Sequence, residues 1–235
     1  MSDTSTRGPL RIAVAQPSCV AYDVAANVSA HAALVHAADC RVVVFPELSL
    51  TGYELDAPPL DPTDPRLAPL VEACGRTGTL ALAGAPVAGD HIATLAVDHD
   101  GARVAYRKMS LGTVEARRFT PGPEPVVETV DGWRLGLAIC KDTGVPEHAA
   151  RTCALGVDVY VASVVDHAAD AAVQDERAVR IATAHRVVVA VASCAGPTGG
   201  GFGETAGRSA IWAPDGSVLA RAGTAPGEFV QATLT

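Results

Sequence analysis

The sequence predicts an α/β protein with mixed sheets. Short apolar segments that are typical of buried strands alternate with helical segments in the early and late parts of the chain, whereas the middle consists of hairpin-like strands. The chain has 235 residues, of which 49% are hydrophobic and only 4% aromatic. This length allows one sizeable core, which Val, Ala, Leu and Ile must fill because aromatic side chains are scarce.

Eleven segments are predicted strands. Each is either a continuous apolar run or an alternation of apolar and polar residues, bounded by turn-forming residues. The predicted strands are residues 12–15, 42–45, 80–83, 92–97, 102–106, 126–130, 135–139, 157–162, 187–192, 209–213 and 217–220.

Four helices are predicted between these strands. Asp23 can cap the first helix, which extends to about residue 38 and has apolar residues along one face. The second begins at Pro65 after Asp64, since proline is favoured in the first helical turn. The remaining two are residues 146–155 and 168–184.

No linker or shift in composition divides the chain, so residues 1–235 are predicted to form a single domain with a disordered N-terminus over residues 1–9. The N-terminal residues lack the apolar segment of a secretion signal, and no apolar run reaches the roughly 18 residues of a membrane span. We therefore expect a cytoplasmic protein with no membrane partner.

Charge and cysteine usage restrict the partners and cofactors. The formal net charge of −8 disfavours nucleic acid, because a phosphate backbone would be repelled. The six cysteines include no C-x-x-C pair, and the seven histidines show no metal-binding spacing. We expect no metal, no cofactor and no disulfide framework.

Three reactive residues directly follow predicted strands. Glu47 ends the segment RVVVFPE, Lys108 follows the strand at 102–106, and Cys140 ends the segment WRLGLAIC before a helix that can begin at Pro146. A cysteine at a strand-to-helix junction can expose its thiol beside backbone N–H groups that stabilise an oxyanion. Alone this signal is weak, because a free cysteine is more often a small buried hydrophobe.

The segments FPELSLTGY, YRK with a trailing E-x-x-x-F-x-P-G, and GLAICKD resemble in order and spacing the Glu, Lys and Cys motifs of the nitrilase superfamily of carbon–nitrogen hydrolases. The opening RIAVAQPS and the late GRSAIWAPDG are also similar to that family, so the resemblance runs from Arg11 to about Thr233. It implies a four-layer α-β-β-α sandwich and hydrolysis through a covalent thioester.

The resemblance also implies roles for individual residues. Cys140 would be the nucleophile, Glu47 the general base and then acid, and Lys108 the cation that stabilises the oxyanion. The backbone N–H of Lys141 would be a second oxyanion donor. Lys108 and the neighbouring Lys141 are expected to favour the thiolate form of Cys140 near neutral pH.

Three further residues are candidates for the same site. Glu115 matches an additional glutamate of the family that positions substrate or assists proton transfer, although an ion pair with Lys108 or Arg118 on a surface loop would also explain it. Tyr53 could line the substrate pocket or simply pack within its loop. Lys141 could contact substrate through its side chain.

The residues after Cys140 depart from the commoner family patterns. Lys141 stands where many members have an aromatic residue, and Thr143 and Gly144 stand where some members have arginines that hold a substrate carboxylate. Without this clamp, neutral small amides are the expected substrates. The alternative is that Lys141, Arg117 or Arg118 supplies a positive charge from another direction.

The leading functional hypothesis is an amidase that releases ammonia from a small carboxamide. A nitrilase or an N-carbamoyl hydrolase would use the same residues. From other classes, the chain could be a catalytically silent binding subunit, or a structural protein whose cysteine matches by coincidence. The family resemblance also implies a homodimer or a larger even-numbered oligomer, for which the helices at 146–155 and 168–184 are the expected interface.

Two other features are expected to have no role in function. Residues 201–206 fit a loose G-x-G-x-x-A pattern, but a strand-like segment rather than a helix follows, so a flexible glycine loop is the preferred interpretation. His31 and His36 are expected to be solvated on the polar side of the first helix.

Overall fold

The computed structural model describes residues 7–235. Twelve strands and four α-helices lie within this range. In chain order they are β1 (Leu10–Gln16), α1 (Val24–Ala38), β2 (Val42–Val44), α2 (Ala68–Thr77), β3 (Leu80–Val87), β4 (His91–Asp98), β5 (Gly101–Arg107), β6 (Val127–Val130), β7 (Trp133–Ile139), α3 (Pro146–Cys153), β8 (Val159–Val164), α4 (Ala171–His185), β9 (Val188–Ser193), β10 (Ala210–Trp212), β11 (Val218–Arg221) and β12 (Glu228–Leu234).

The strands form two six-stranded mixed sheets. The first has the order β12-β1-β2-β3-β4-β5 and the second the order β11-β10-β9-β8-β7-β6. Strands β1, β2 and β3 are parallel in the first sheet, as are β7, β8 and β9 in the second, whereas the outer strands pair antiparallel. Each sheet therefore combines a parallel centre with antiparallel hairpins, as the pattern of the sequence predicted.

Three apolar clusters separate four layers. One lies between the sheets and combines residues of both, such as Val44 and Leu137. A second packs α1 and α2 against the outer face of the first sheet, with Val28 and Leu70 buried. The third packs α4 against the outer face of the second sheet, with Ile181 buried. The predicted α-β-β-α sandwich is thus confirmed.

The predicted elements agree closely with the observed ones. Each of the eleven predicted strands overlaps an observed strand, and each predicted helix overlaps an observed helix. Asp23 caps α1 by accepting a hydrogen bond from the Ala26 N–H. Short 3₁₀ turns, Pro65–Leu67 and Ala168–Asp170, precede α2 and α4 where continuous helices were expected. Strand β12 was missed because it is a half-exposed edge strand with little apolar signal.

Two N-terminal residues are held against the second sheet. Residues 1–6 of the segment expected to be disordered lie outside the described residues. By contrast, the Arg7 guanidinium lies 3.7 Å from the Trp133 ring centroid and 2.6 Å from the Asp158 carboxylate. The Trp133 indole N–H also donates to the Gly8 carbonyl at 2.9 Å. Arg7 and Gly8 therefore have defined contacts with the second sheet.

The α-helices are short relative to a bilayer. The longest have 15 residues, fewer than the ~20 that usually cross a membrane. Within the described part of the chain, no helix combines the length and apolarity that a membrane span requires.

The carboxyl ends of the parallel strands in both sheets meet at one edge of the sandwich. Strand β4 is antiparallel to β3, and β5 is antiparallel to β4, so β5 has the direction of β3 and also ends at this edge. A hydrogen bond of 2.7 Å from the Ser110 N–H, after β5, to the Asp142 carboxylate, after β7, joins the two sheets there. The loops that follow β2, β5, β7, β8 and β9 therefore converge.

The turn after β2 is shaped by its contact with β3. Leu48 has a φ of 51°, which reverses the chain directly after Glu47. The turn then packs on Gly84, where an added Cβ atom would lie 2.3 Å from the Leu48 nitrogen and 2.5 Å from the Pro46 oxygen. The Leu50 N–H also donates to the Gly84 carbonyl at 3.0 Å. Glycine is therefore required at this position for the turn to reach the sheet.

Replacing Gly84 by Ala is expected to lower the free energy of unfolding by roughly 1–3 kcal/mol, the usual range for overpacking a well-packed site. Urea unfolding followed by circular dichroism measures this. Gly75→Ala is the matched control, because the nearest atom to its added Cβ would be 3.6 Å away and the position lies within α2. That variant should be as stable as the wild type or more stable. Equal stability of both variants would contradict the close approach.

Candidate active site

A buried cluster of three charged side chains lies at the edge where the strand ends converge. The Lys108 ammonium, following β5, donates to Glu47 Oε1 at 2.6 Å and to Glu115 Oε1 at 2.7 Å. All three side chains are at most 4% exposed. The sequence predicted these residues for one site, and the structure brings them together.

Burial and the neighbouring charges shift the pKa values of all three side chains in this cluster. Burial raises the pKa of Glu47 to about 7, and the nearby Glu115 charge adds to this although Lys108 opposes it. Burial alone would raise the pKa of Glu115 as well, but the Lys108 ammonium outweighs it and the pKa is lowered. Burial would lower the pKa of Lys108, but the surrounding negative charges raise it above its ordinary value. Glu47 is therefore the carboxylate that gains and loses a proton near neutral pH.

Glu115 is held by three donors. Besides Lys108, the Tyr53 hydroxyl donates to its Oε1 at 2.6 Å, and the Gly112 N–H donates to its Oε2 at 2.5 Å. The ion pair with Lys108 that was weighed as an alternative does form, but it is buried rather than on a surface loop. Tyr53 therefore contacts the charged cluster directly, and its ring packs edge-on against Phe202 with centroids 4.9 Å apart.

Cys140 stands at a strained turn directly after β7. It has a φ of 40°, which is unusual for a residue with a side chain, and it begins the 3₁₀ turn Cys140–Gly144. Its thiol donates to the Val165 carbonyl, after β8, at 3.4 Å. Backbone strain of this kind is common where a side chain must be presented to a ligand.

Lys108 favours the Cys140 thiolate, as expected, but its effect does not lower the pKa of the thiol overall. Burial raises the pKa of the Cys140 thiol well above its ordinary value, and the Glu47 charge adds to this effect while Lys108 only partly opposes it. The Lys141 ammonium is exposed and donates to the Leu111 carbonyl at 2.6 Å. The thiol is therefore protonated near neutral pH, and a base is needed to form the nucleophile.

Asp142 joins the Cys140 turn to the loop that carries Lys108. Its buried carboxylate accepts hydrogen bonds from the Ile139 N–H at 3.0 Å, the Ser110 N–H at 2.7 Å and the Tyr106 hydroxyl at 2.8 Å. These donors come from the end of β7 and from β5 and its following loop. Sequence reasoning missed this residue, and the only signal was its position two residues after Cys140.

A hydrogen-bonded chain extends from Asp142 through the second sheet. Because the Tyr106 hydroxyl donates to Asp142, it accepts from His148 Nε2 at 2.8 Å. His148 Nδ1 in turn accepts from the Tyr160 hydroxyl at 2.9 Å. Burial lowers the pKa of His148, which keeps the ring neutral as this arrangement requires. These hydrogen bonds thus connect α3 and β8 to the Asp142 carboxylate in the Cys140 turn.

A guanidinium lies beside Gly144 although the sequence has no arginine there. Arg177 of α4 places its Cζ atom 3.4 Å from the position that a Cβ on Gly144 would occupy. Its Nη1 lies 3.9 Å from the Asp166 carboxylate, and Arg180 one turn later donates to the Thr143 carbonyl at 2.7 Å. Sequence reasoning missed Arg177, because its contact with residue 144 spans more than thirty positions.

The glycine-rich segment after β9 is hydrogen-bonded to the loop that contains Tyr53 and Glu54. The Tyr53 N–H donates to the Thr198 carbonyl at 2.6 Å, and the Gly200 N–H donates to the Glu54 carboxylate at 3.2 Å. Phe202 stacks on His167 with ring centroids 4.2 Å apart. Strand β10 follows this segment, so it lacks the helix that a dinucleotide-binding turn requires.

His31 is buried, contrary to the expectation that it is solvated. One ring nitrogen bonds the Asn27 carbonyl at 2.7 Å and the other bonds the Ser49 hydroxyl at 2.8 Å, two residues after Glu47. Burial lowers the pKa of His31 to about 4, so the ring is neutral. His36 is exposed, as expected.

Among residues 7–235, one group of three potential metal ligands lies close together. Asp98, His99 and Asp100 lie in the β4–β5 turn, with side-chain donor atoms within 4.8 Å of one another. Strand β4 ends at the edge opposite to Cys140, so this exposed cluster is separate from the site.

Comparisons with known proteins place the chain among relatives with the same fold. The family model described as carbon-nitrogen hydrolase matches residues 11–235. A protein of Pseudomonas protegens named "Hydrolase in pqqF 5'region" is 31% identical over 231 residues, which cover 91% of this chain and 79% of that protein.

Solved structures with the same fold include a bacterial amidase and a yeast protein. An amidase from Nesterenkonia sp. superposes with a TM-score of 0.86 at 22% identity, covering 96% of this chain and 90% of that chain. Variants of that amidase have been solved with acrylamide and with butyramide. Nit3 of Saccharomyces cerevisiae, a member of branch 10 of the nitrilase superfamily, has a TM-score of 0.84 at 21% identity, with coverage of 96% and 90%.

The raised pKa of Glu47 makes stability depend on pH. Between its ordinary value of 4.5 and about 7, the folded protein binds more protons at Glu47 than the unfolded chain does, so the contribution of this residue to stability falls as pH rises. The fall amounts to about 3 kcal/mol, since each pKa unit is worth ~1.4 kcal/mol. Glu47→Gln lacks this contribution. Urea unfolding of both proteins at pH 4 and pH 8 should show the wild type losing stability relative to the variant; a constant difference would contradict the shifted pKa.

Proposed function

The chain belongs to the carbon-nitrogen hydrolase family and is a hydrolase of carbon–nitrogen bonds; from this premise we propose that it is an amidase, which converts a small carboxamide to a carboxylic acid and ammonia through a thioester on Cys140. One observation carries the proposal. Glu47 holds Lys108 with one carboxylate oxygen, while its buried Oε2 has no hydrogen-bond partner among the described residues. A buried acceptor without a donor is costly, and a proton arriving from a reacting group would satisfy it.

In the first half of the proposed reaction, Glu47 takes the proton of the Cys140 thiol as Sγ bonds to the amide carbon. The pKa of Glu47, near 7, suits a group that must accept and then release a proton at neutral pH. The C–N bond then breaks, Glu47 returns the proton to the leaving nitrogen, and ammonia departs. A thioester between the acyl group and Cys140 remains.

In the second half, water attacks the thioester carbon while Glu47 takes one of its protons. The C–S bond breaks, the sulfur regains a proton from Glu47, and the carboxylic acid is released. The same carboxylate therefore acts as base and acid in each half, which requires that neither protonation state be strongly favoured. This explains why a buried, pKa-raised glutamate suits the reaction better than an exposed one.

The tetrahedral intermediates carry a negative oxygen that needs nearby positive charge. We assign this to the Lys108 ammonium and to the backbone N–H of Lys141 in the turn after Cys140. Lys108 is well suited because its raised pKa keeps it charged throughout. Glu115, fixed by Tyr53 and Gly112, holds Lys108 in place opposite Glu47.

A small amide is the substrate class that the relatives support. The Nesterenkonia amidase, variants of which have been solved with acrylamide and butyramide, shares the fold of this chain. The hydrolysis of nitriles or N-carbamoyl compounds would need the same thiol, base and cation. A catalytically silent binding subunit would have no need for a protonated thiol beside a buried base.

The test is an ammonia-release screen over small amides, nitriles and N-carbamoyl compounds. We expect release from at least one amide by the wild type and none by Cys140→Ala. Glu47→Gln should lower kcat by about 10² to 10⁴, the usual contribution of a general base. Cys153→Ala is the matched control, since this half-buried cysteine lies on α3 away from the charged cluster, and it should retain activity.

The product decides among the alternatives. Ammonia from nitriles alone would replace the amidase assignment by a nitrilase, and release of carbon dioxide with ammonia would indicate a carbamoyl hydrolase. Equal turnover by Cys140→Ala and the wild type would refute the thioester mechanism. Binding without turnover in the wild type would leave the silent subunit as the explanation.

We also propose that the protein forms a homodimer or a larger even-numbered oligomer through α3 and α4. Three apolar side chains near these helices are more than a third exposed: Leu155, Val173 and Val179. Light scattering at micromolar concentration should give at least twice the monomer mass of 23.9 kDa. Val173→Lys with Val179→Lys should shift the protein toward the monomer, whereas Val218→Lys on β11 should not. A wild-type monomer would contradict the proposal.

A further inference from the structure

Two cysteines that the proposed hydrolysis does not use are hydrogen-bonding partners, although they are far apart in the chain. Cys19 lies in the segment between β1 and α1, and Cys194 directly follows β9. Their thiols bond each other. The Thr198 hydroxyl contacts both, since its Oγ1 atom is 4.0 Å from the Cys194 sulfur and it also bonds Cys19. The fold thus brings two free thiols together at a second place.

Both thiols also contact the turn after β2, which consists of residues 47–51. The Cys194 sulfur lies 3.9 Å from the Glu47 carbonyl oxygen. The Cys19 sulfur lies 3.6 Å from the Ser49 carbonyl oxygen. The pair is therefore in direct contact with the backbone that positions the proposed base.

The chain segments around the two cysteines pack closely on the end of this turn. A Cβ atom added to Gly52 would lie 2.9 Å from the Thr198 carbonyl oxygen and 3.0 Å from the Ala21 Cα atom. The same Thr198 carbonyl accepts the Tyr53 N–H at 2.6 Å. A movement of either cysteine segment is therefore transmitted to the turn.

The two thiols differ in acidity. The hydrogen bonds from Cys194 and Thr198 lower the pKa of the Cys19 thiol, although burial opposes them. The hydrogen bond to Cys19, together with burial, raises the pKa of Cys194 well above its ordinary value. All six cysteines are among the described residues, and the pKa values of the five besides Cys19 are raised. Cys19 therefore has the most thiolate character.

Only one member of the pair is accessible to solvent. Cys19 is half-buried, and its neighbours Ser18 and Val20 are exposed. By contrast, Cys194 is 1% exposed. An accessible thiolate beside a second thiol is the arrangement in which peroxides oxidise the first cysteine and the second then condenses with it.

We propose that Cys19 and Cys194 are a modification site, at which hydrogen peroxide joins the two sulfurs in a reversible disulfide. In the first step the Cys19 sulfur attacks a peroxide oxygen, the O–O bond breaks, and a sulfenic acid and one water form. In the second step the Cys194 sulfur attacks the Cys19 sulfur and the S–O bond breaks. The hydroxyl leaves with the Cys194 proton as a second water. The two thiols together lose two electrons, which reduce the peroxide.

The disulfide is expected to move the turn after β2. An S–S bond is about 2.05 Å long, shorter than any contact between separate thiols, so the two cysteine segments must approach each other. Because Gly52 packs tightly between these segments, the approach displaces the turn and Glu47 with it. A misplacement of ~1 Å in a catalytic site lowers turnover by about 10², so we expect the oxidised protein to be at least tenfold slower.

The experiment treats the protein with equimolar hydrogen peroxide, blocks the remaining thiols with N-ethylmaleimide and maps the digested peptides by mass spectrometry. A peptide that links Cys19 to Cys194 should appear, and dithiothreitol should remove it. Cys19→Ser should form no disulfide, and Cys194→Ala should stop at a Cys19 sulfenic acid that dimedone traps. Cys153→Ala is the matched control, because this cysteine is also half-buried, and it should give the same linked peptide as the wild type.

Activity and hydrogen exchange test the effect on the turn. Oxidised wild type should lose at least tenfold in kcat for an amide and recover it with dithiothreitol, whereas Cys19→Ser should keep its activity at the same peroxide dose. Hydrogen exchange of the peptide that contains residues 47–51 should change on oxidation of the wild type and of Cys140→Ala. Equal loss of activity in the wild type and Cys19→Ser overturns the regulatory effect.

The disulfide can form whether or not the chain is an amidase. If the wild type turns over no amide, the proposed function fails, and the peptide map and hydrogen exchange of Cys140→Ala still decide the modification and its effect on the turn. A map without the peptide that links Cys19 to Cys194 overturns the inference, as does oxidation of Cys140 before Cys19. A disulfide that leaves both turnover and exchange unchanged overturns the link to Glu47.

Discussion

The buried contact of Lys108 with Glu47 and Glu115 is the constraint on which the site depends. Charges removed from water are costly, by several kcal/mol per ion even after relaxation. Here one ammonium lies between two carboxylates at 2.6 and 2.7 Å, and the second carboxylate is stabilised by Tyr53 and Gly112. Glu47 has no such additional donors, which is why its pKa, rather than that of Glu115, moves toward neutrality.

The sandwich brings this charged cluster to Cys140 because loops from both sheets converge at one edge. Glu47 and Lys108 follow strands of the first sheet, whereas Cys140 follows a strand of the second. Asp142 joins the two by accepting donors from β5, its following loop and the end of β7. The hydrogen bonds that link Tyr106, His148 and Tyr160 then hold this carboxylate in position. We infer that a shift between the sheets would separate the thiol from the base, so that the packing and the proposed chemistry are coupled.

The sequence-based predictions were accurate where the interactions are local in the sequence and failed where they join distant segments. Helix α1 was recognised because its cap and apolar face are local signals. Strand β12 was missed because its main partner, β1, is more than two hundred residues away and its own pattern is weak. His31 was wrongly expected to be solvated because its partner Ser49 lies on another element. For β12 and His31, a contact between distant segments outweighed the local pattern.

The sequence by itself determined the family, the fold class, most strands and helices, and the positions of Glu47, Lys108 and Cys140 at strand ends. These properties depend on periodicity and motif order, which are visible in one dimension. Only the tertiary structure decided that the Cys140 thiol is protonated, that Glu115 is buried on Lys108, and that Arg177 occupies the side of Gly144. Burial and through-space charge set these properties. They depend on which remote residues are neighbours, and this information exists only after the chain has folded.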